Sequence, residues 1–241
     1  MASLFEAHDL VVDVERSEGS LRVLDGVSFS METGEVTDLV GPSGSGKSTL
    51  LLAMARLRPM TSGELVLLDR PTSQVDGVEW RQQVVYVPQK ATLFPGTVED
   101  NLLAPWKLSC RREKTPPTRE RMRHDLDRIG LDDVELERDM ARLSGGQAAR
   151  IALLRALLLE APLTLLDEVD AALDDASAGM VGALVSAEAH EGRSFLRVRH
   201  RAPDGFATRR LRLAEGSLVE VPIADEVADG PPDGCACGEG R

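Results

Sequence analysis

"EVTDLVGPSGSGKSTLLLAMARL", residues 35 to 57, passes from a β-branched strand through a glycine-rich loop into a helix-forming run. Gly41, Gly44 and Gly46 let the backbone close around phosphate oxygens; Pro42, Ser43, Ser45 and Thr49 complete the nine-residue loop. Lys47 is placed to reach β and γ oxygens, and Ser48 to ligate a magnesium ion. The flanking strand and helix are the context such a loop needs, because the phosphate is gripped by N–H groups at a helix start. A glycine-rich turn with no ligand is the alternative that this context disfavours. By itself the stretch specifies a nucleoside triphosphate and no particular activity.

Composition sets the bounds around it. A chain of 241 residues with 42% hydrophobic residues has material for one large core or two modest ones. A net charge of −12 excludes non-specific nucleic-acid binding, which needs a basic field; a nucleotide is still allowed, because oriented amides hold it locally. "MASLFEAHDL" has no basic flank leading into an apolar core, and Arg155, Glu160 and Pro162 interrupt the longest apolar run, "IALLRALLLEAPLTLL". Neither a signal peptide nor a membrane span is expected. Cys110, Cys235 and Cys237 have no histidine at zinc-finger spacing and make no disulfide framework, which fits a reducing, cytoplasmic setting.

Outward from the loop, "DLVVDV" and "LRVLDGVSFSM" read as an antiparallel layer, with "ETGEV" turning into the loop's own strand. "GELVLL" and "QVVYVPQ" read as further strands, and "LTLLDE" and "SFLRVRH" as parallel ones, the first of them buried. From Lys90 to Met140 the chain is charged and helix-favouring, with Pro116 and Pro117 marking a loop. Ile151, Leu154 and Leu158 then fall at i, i+3 and i+7, predicting a helix with one buried face. The expected fold class is α/β: a mixed core sheet with helices, an N-terminal antiparallel β layer and an inserted helical subdomain. Residues 1–222 form one domain with the subdomain at about 90–160, and 223–241 an acidic Gly/Pro tail expected to be disordered.

"LTLLDE" carries Asp167 to a strand's carboxyl end, where it is placed to hold Mg²⁺ through water. Glu168 follows, positioned as general base for an attacking water; an acidic cap on a core strand is the plainer reading of a lone "DE". "LSGGQ", residues 143 to 147, sets a second anion-holding turn ahead of a helix. With the phosphate loop and the "DE" pair, this motif resembles the signature of ABC-type ATPases, and the fold class becomes a P-loop NTPase of ABC type.

The resemblance implies that Gly41, Pro42, Ser43, Gly44, Ser45, Gly46, Lys47, Ser48 and Thr49 bind ATP, and that Ser144, Gly145, Gly146 and Gln147 cap the ATP of an opposite chain. It implies that Gln89 touches the metal or the lytic water, that "AALD", Ala171 to Asp174, lies at the dimer contact, and that His200 meets the γ-phosphate. A histidine at a strand end is, taken alone, more often a satisfied surface residue. The implied cofactors are ATP and Mg²⁺. The implied partners are a second copy or a related ATPase subunit and an integral membrane permease, with no nucleic acid, at the inner face of the cell membrane. "WRQQVVYVPQKATLFPGTVEDNLLAPW", Trp80 to Trp106, is similar to the ATP-binding subunits of bacterial iron-export and metal-tolerance transporters. Soluble relatives acting in DNA repair or translation are the alternative; the long coiled-coil insertions and paired ATPase halves typical of them are not seen in this sequence. An intact Lys47, Asp167 and Glu168 argue against a regulator with a dead site.

The sequence also departs from the family pattern. "VERSEGSLRV" offers no aromatic for an adenine to stack on, leaving Arg16 or Val23 as substitutes, with GTP expected to compete with ATP. "DEVDAALD" lacks the Pro-Thr-Ser that commonly follows the acidic pair, and Arg199 replaces a small hydroxyl residue before His200. Asp38 falls in a strand buried on both faces, where an unpaired carboxylate costs several kcal/mol or takes up a proton. The favoured reading is a paired or partly hydrated Asp, with no partner identifiable in the sequence. The arginines of "RVRHRAPDGFATRRLR" read as solvated strand faces rather than a headgroup site, and the "CAC" of the tail as a weak soft-metal candidate.

Overall fold

Two long alternating strands, β1 (Ser3–Arg16) and β2 (Gly19–Glu32), pair antiparallel over nearly their full length, Phe5 opposite Met31 and Val12 opposite Leu24. The computed structural model describes residues 3–16 and 19–223, with Arg16 described by its backbone alone. The phosphate-loop strand β3 (Val36–Val40) is followed by α1 (Lys47–Met54), β4 (Ser62–Leu67) and β5 (Arg70–Pro71). β4 and β5 extend the first sheet in the order β2-β1-β4-β5, so "GELVLL" joins the outer antiparallel layer.

The chain continues through α2 (Gly77–Gln83), β6 (Val84–Val87), α3 (Val98–Leu102), α4 (Arg119–Arg128), α5 (Gly145–Leu157), β7 (Leu163–Asp167), α6 (Asp175–His190), β8 (Ser194–Val198), β9 (Arg209–Ala214) and β10 (Ser217–Glu220). The second sheet has the order β10-β9-β3-β8-β7-β6 and is parallel except for the β9–β10 pair. β3, β7 and β8 are buried at every position, which is why their sequences are mostly apolar on both faces and the polar residues they carry, such as Asp38 and Arg197, are buried too.

Apolar side chains collect on both faces of this sheet. One cluster joins it to the antiparallel layer and α1 through Phe5, Leu24, Leu51 and Trp80, whose indole N–H donates to the Met54 carbonyl at 2.8 Å. The other joins it to α3, α4, α5 and α6 through Leu102, Leu126, Ile151 and Val185.

The stretch from Lys90 to Met140 holds α3 and α4 with several 3₁₀ turns, the two helices started by the Thr97–Asp100 capping box and by Thr118. One sequence expectation needs correction. α5 is buried at four consecutive residues, Ile151 to Leu154, and again at Ala156 and Leu157. It is enclosed on more than the one face that its periodicity predicts, because α3, α4 and the sheet all pack around it. Except for Ile223, the acidic tail with Cys235 and Cys237 lies outside the described residues.

Candidate active site

β3 delivers the chain into the phosphate loop at the middle of the parallel sheet. Gly41 has φ +145°, and a Cβ there would lie 2.1 Å from the Leu213 carbonyl oxygen of β9, so only glycine fits. Gly46, at φ +103°, opens α1, and its missing Cβ leaves room for Val23, whose Cγ1 would be 2.7 Å away. The Lys47 ammonium, 6% exposed, donates to the Gly41 carbonyl at 2.7 Å and the Pro42 carbonyl at 3.0 Å. These two residues act through their carbonyls, fixing the cation at the mouth of the loop.

Ser48 Oγ donates to Asp167 Oδ1 at 3.1 Å, and the Tyr86 hydroxyl donates to Asp167 Oδ2 at 2.9 Å. Burial, and then the Asp167 carboxylate itself, push the Tyr86 hydroxyl well above its ordinary range, so it stays a donor. Ser48 and Asp167 are hard oxygen donors set side by side, the type that Mg²⁺ takes; with few protein ligands, such an ion completes its shell with phosphate oxygens and water. Consistent with this, no group of three or more His, Cys, Asp or Glu suited to a metal occurs among the described residues.

Glu168 is bracketed on both sides. Gln89 Nε2 donates to Oε2 at 2.7 Å, His200 Nε2 meets Oε1 at 2.9 Å, and the Glu168 N–H is held by the Val198 carbonyl at 3.2 Å. Its φ of +51° is left-handed, a conformation rare for a non-glycine residue, and it begins the turn that follows β7. Residues 89, 168 and 200 thus form one cluster at the ends of neighbouring parallel strands, where open α/β sheets place ligands.

A cleft of about 310 Å³ is lined by Ser43, Gly44, Gly46, Lys47, Ser48, Thr49, Glu168 and His200. Ser45 is not among its lining residues, and its hydroxyl is buried without a hydrogen-bond partner. Asp167 and Gln89 reach the cleft through Ser48 and Glu168. The remaining wall is Val14, Val23 and Arg58, with no aromatic residue. Val23 is where the sequence put it, whereas the Arg16 side chain lies outside the described residues. Arg58 and Val14 are not identifiable from spacing; the 57–62 segment comes beside β1 because the Thr61 N–H donates to the Val11 carbonyl at 2.8 Å.

Ser144, Gly145, Gly146 and Gln147 do not line the cleft. They start α5 as a capping box: Ser144 Oγ accepts from the Gln147 N–H at 3.2 Å, and Gln147 Oε1 accepts from the Ser144 N–H at 3.0 Å. Ser144 and Gly145 are exposed, and a Cβ on Gly145 would meet nothing within 4 Å. The turn therefore faces open space. In "AALD", Asp174 caps α6, its carboxylate accepting from the Ser177 N–H at 2.8 Å.

Asp38 is paired. Arg197 reaches its Oδ1 through Nε at 2.8 Å and Nη2 at 2.7 Å, and also bonds Asp204 at 3.0 and 3.2 Å. Burial pushes the Asp38 carboxyl upward, against the pull of Arg197 and Arg199. Burial is the largest influence on Asp204 and pushes its carboxyl up, but the hydrogen bonds and charge of Arg197, the Phe206 N–H and the charge of Arg199 together outweigh it and hold that carboxyl low. Arg197, Arg199 and Arg210 are all buried, which corrects the reading of this arginine-rich stretch as solvated strand faces. Asp38, a partner of Arg197, and Asp170, a partner of Arg199, come from distant parts of the chain and leave no local signal, whereas Asp204 lies within the stretch itself.

A family model described as "ABC transporter" matches residues 24–171. The probable iron export ATP-binding protein FetA of Escherichia coli is 38% identical over 167 residues, covering 69% of this chain and 72% of that protein. The lipoprotein-releasing system ATP-binding protein LolD 2 of Rhodospirillum rubrum is 38% identical over 229 residues, covering 92% and 98%. Among solved structures, the dimeric post-hydrolysis state of the ATP-binding cassette MJ0796, bound to ADP and Pi, superposes with a TM-score of 0.78 at 25% identity, covering 91% of this chain and 98% of that one. With more than half of its length inside the family model and its two sheets matching a nucleotide-bound cassette, the chain belongs to the ABC transporter family and is an ATP-binding, ATP-hydrolysing domain of it.

Proposed function

We propose that two copies of this chain, or one copy and a related subunit, close around two ATP molecules and drive a separately encoded membrane permease. The observation that carries the reading is Glu168, held between Gln89 and His200 in the cleft that the phosphate loop lines. In this reading the loop and Lys47 hold the phosphates, and Ser48 and Asp167, with Gln89 beside them, hold Mg²⁺. That ion would supply charge neutralisation at the β and γ oxygens. Glu168 takes a proton from the attacking water, while Gln89 and His200 orient its carboxylate.

Ser144 to Gln147 would complete the ATP site of the opposite chain, which the exposure of that turn and the dimeric state of the similar cassette support. A groove of about 150 Å³ between Pro88, Thr92, Pro105, Arg155 and Leu159 is proposed to seat the permease. Phe94, 53% exposed beneath the Arg155 guanidinium, offers it an apolar contact nearby. No helix among the described residues is long and apolar enough to cross a membrane, so attachment to the inner face of the cell membrane would be through that partner.

Outward transport of a metal ion is the proposed cargo, on the similarity to the iron-export protein and the Trp80–Trp106 stretch. LolD 2 is as similar and bears a different cargo in its name, so the permease that co-purifies decides this part. Hydrolysis is tested with Glu168→Gln: turnover should fall by about 100-fold or more with ATP affinity retained, and Mg-ATP should trap a dimer on size exclusion. Near-normal turnover would reject Glu168 as the base.

A further inference from the structure

Three residues that stand out in the sequence for unrelated reasons are joined in the structure by one chain of buried ion pairs. They are Asp38 inside a buried strand, Asp170 behind the acidic pair, and Arg199 ahead of His200. Side chains of the segment 197–201 alternate: Arg197, Arg199 and Arg201 take carboxylates, while Val198 packs in the core and His200 meets Glu168. Arg197 holds Asp38 and Asp204. Arg199 Nε donates to Asp170 at 3.0 Å, and its Nη1 lies 2.7 Å from Asp204 as an ion pair without hydrogen-bond geometry. Arg201 holds Asp175 at 2.6 Å and the Leu173 carbonyl. The 170–175 segment that follows Glu168 is therefore fastened to the residues on either side of His200.

Burying such ions is expensive, and apolar residues of the same volume often bind two elements together at least as firmly. What a guanidinium adds is direction, because its planar fork, fixed by several carboxylates, defines both angle and depth. Asp170 lies two residues beyond Glu168 and Arg199 one residue before His200, so their 3.0 Å contact sits directly behind the 2.9 Å contact of the carboxylate and imidazole. We propose that Asp170 and Arg199 are positioning residues for ATP hydrolysis, setting the aim of Glu168 through its contact with His200 without touching the nucleotide. The inference rests on Glu168 being the base.

The test uses the full chain and compares Asp170→Asn, Asp170→Glu, Arg199→Lys and the Asn/Lys double variant with Asp38→Asn, which disturbs the same buried network away from Asp170. Binding of a fluorescent ATP analogue, kcat, KM and Tm are measured on each preparation. Asp170→Asn and Arg199→Lys should each lower kcat by about 10-fold or more, with nucleotide affinity kept within about 2-fold. The double variant should be no worse than either single, and Asp170→Glu should recover part of the loss. Asp38→Asn should lower Tm at least as much while keeping kcat within about 2-fold of wild type. The proposal is overturned if kcat of the Asp170 and Arg199 variants is unchanged, or if kcat simply tracks Tm across all of them. Glu168→Gln, assayed alongside, separates the two readings. Normal turnover there rejects the base and this inference with it, whereas an inactive Glu168→Gln beside fully active Asp170→Asn and Arg199→Lys rejects the positioning pair alone.

Discussion

Arg58 is a cation on the wall of the nucleotide cleft, and its guanidinium makes no ion pair or hydrogen bond among the described residues. With Val14 and Val23 it completes the wall of the cleft, giving a planar base two apolar contacts and one guanidinium to lie against. Arg58→Ala should weaken ATP and GTP alike by about 3- to 30-fold and leave inorganic tripolyphosphate within about 2-fold, measured by competition calorimetry. Equal loss for tripolyphosphate would place Arg58 on the phosphates. Asp38 gives a second prediction. Its buried contact with Arg197, two guanidinium nitrogens on one carboxylate oxygen, makes Asp38→Ala destabilising by about 3–5 kcal/mol in chemical denaturation, because the guanidinium would stay buried with one partner fewer. From the sequence, an unpartnered Asp38 would give the opposite sign. Residue chemistry was legible wherever it is fixed by local spacing, as in the phosphate loop and the Asp167–Glu168 pair. It was illegible where partners meet across the sheet, as for Arg197 with Asp38 or Tyr86 with Asp167.

In the proposed function the signature turn has two purposes, to cap its own helix and to meet the ATP of an opposite chain. Ser144 Oγ accepts the Gln147 N–H, which leaves its own O–H free to donate outward. Ser144→Asp keeps an acceptor for the cap but loses that proton and adds charge. Stability should therefore stay within about 0.5 kcal/mol of wild type while ATP occlusion is lost; Ser144→Ala should lose occlusion and about 1 kcal/mol together. Denaturant titration and retention of labelled ATP read the two effects separately. Among the elements, the parallel strands were read well because full burial puts apolar residues at most positions of β3, β7 and β8 without a polar alternation. The segment between β6 and α5 was read as helical, and its helices, α3 and α4, are short. Its charged residues favour helix, but its course is set by short caps and by contacts such as that of the Arg123 side chain with the Leu131 carbonyl at 2.9 Å.

At the scale of the molecule, the signature turn and the cleft of one chain stay apart, so a complete site would require two chains. Lys47→Ala spoils the loop and Ser144→Arg the signature. A purified mixed dimer of the two should regain one intact composite site and occlude ATP above either homodimer; no recovery in correctly assembled mixed dimers would favour a signature acting within its own chain. The sheet order has another effect, on the ribosome. β3, which launches the phosphate loop, is flanked by β8 and β9, whose residues begin at Ser194 and Arg209. Gly41 packs against the Leu213 carbonyl. Every residue of the loop precedes both β8 and β9 in the chain, so β3 has no partner in its sheet until those strands have emerged. A nascent chain stalled before Ser194 would carry every residue of "GPSGSGKST" with neither neighbouring strand of β3 in place, so nucleotide would be taken up only after β9 has left the ribosome.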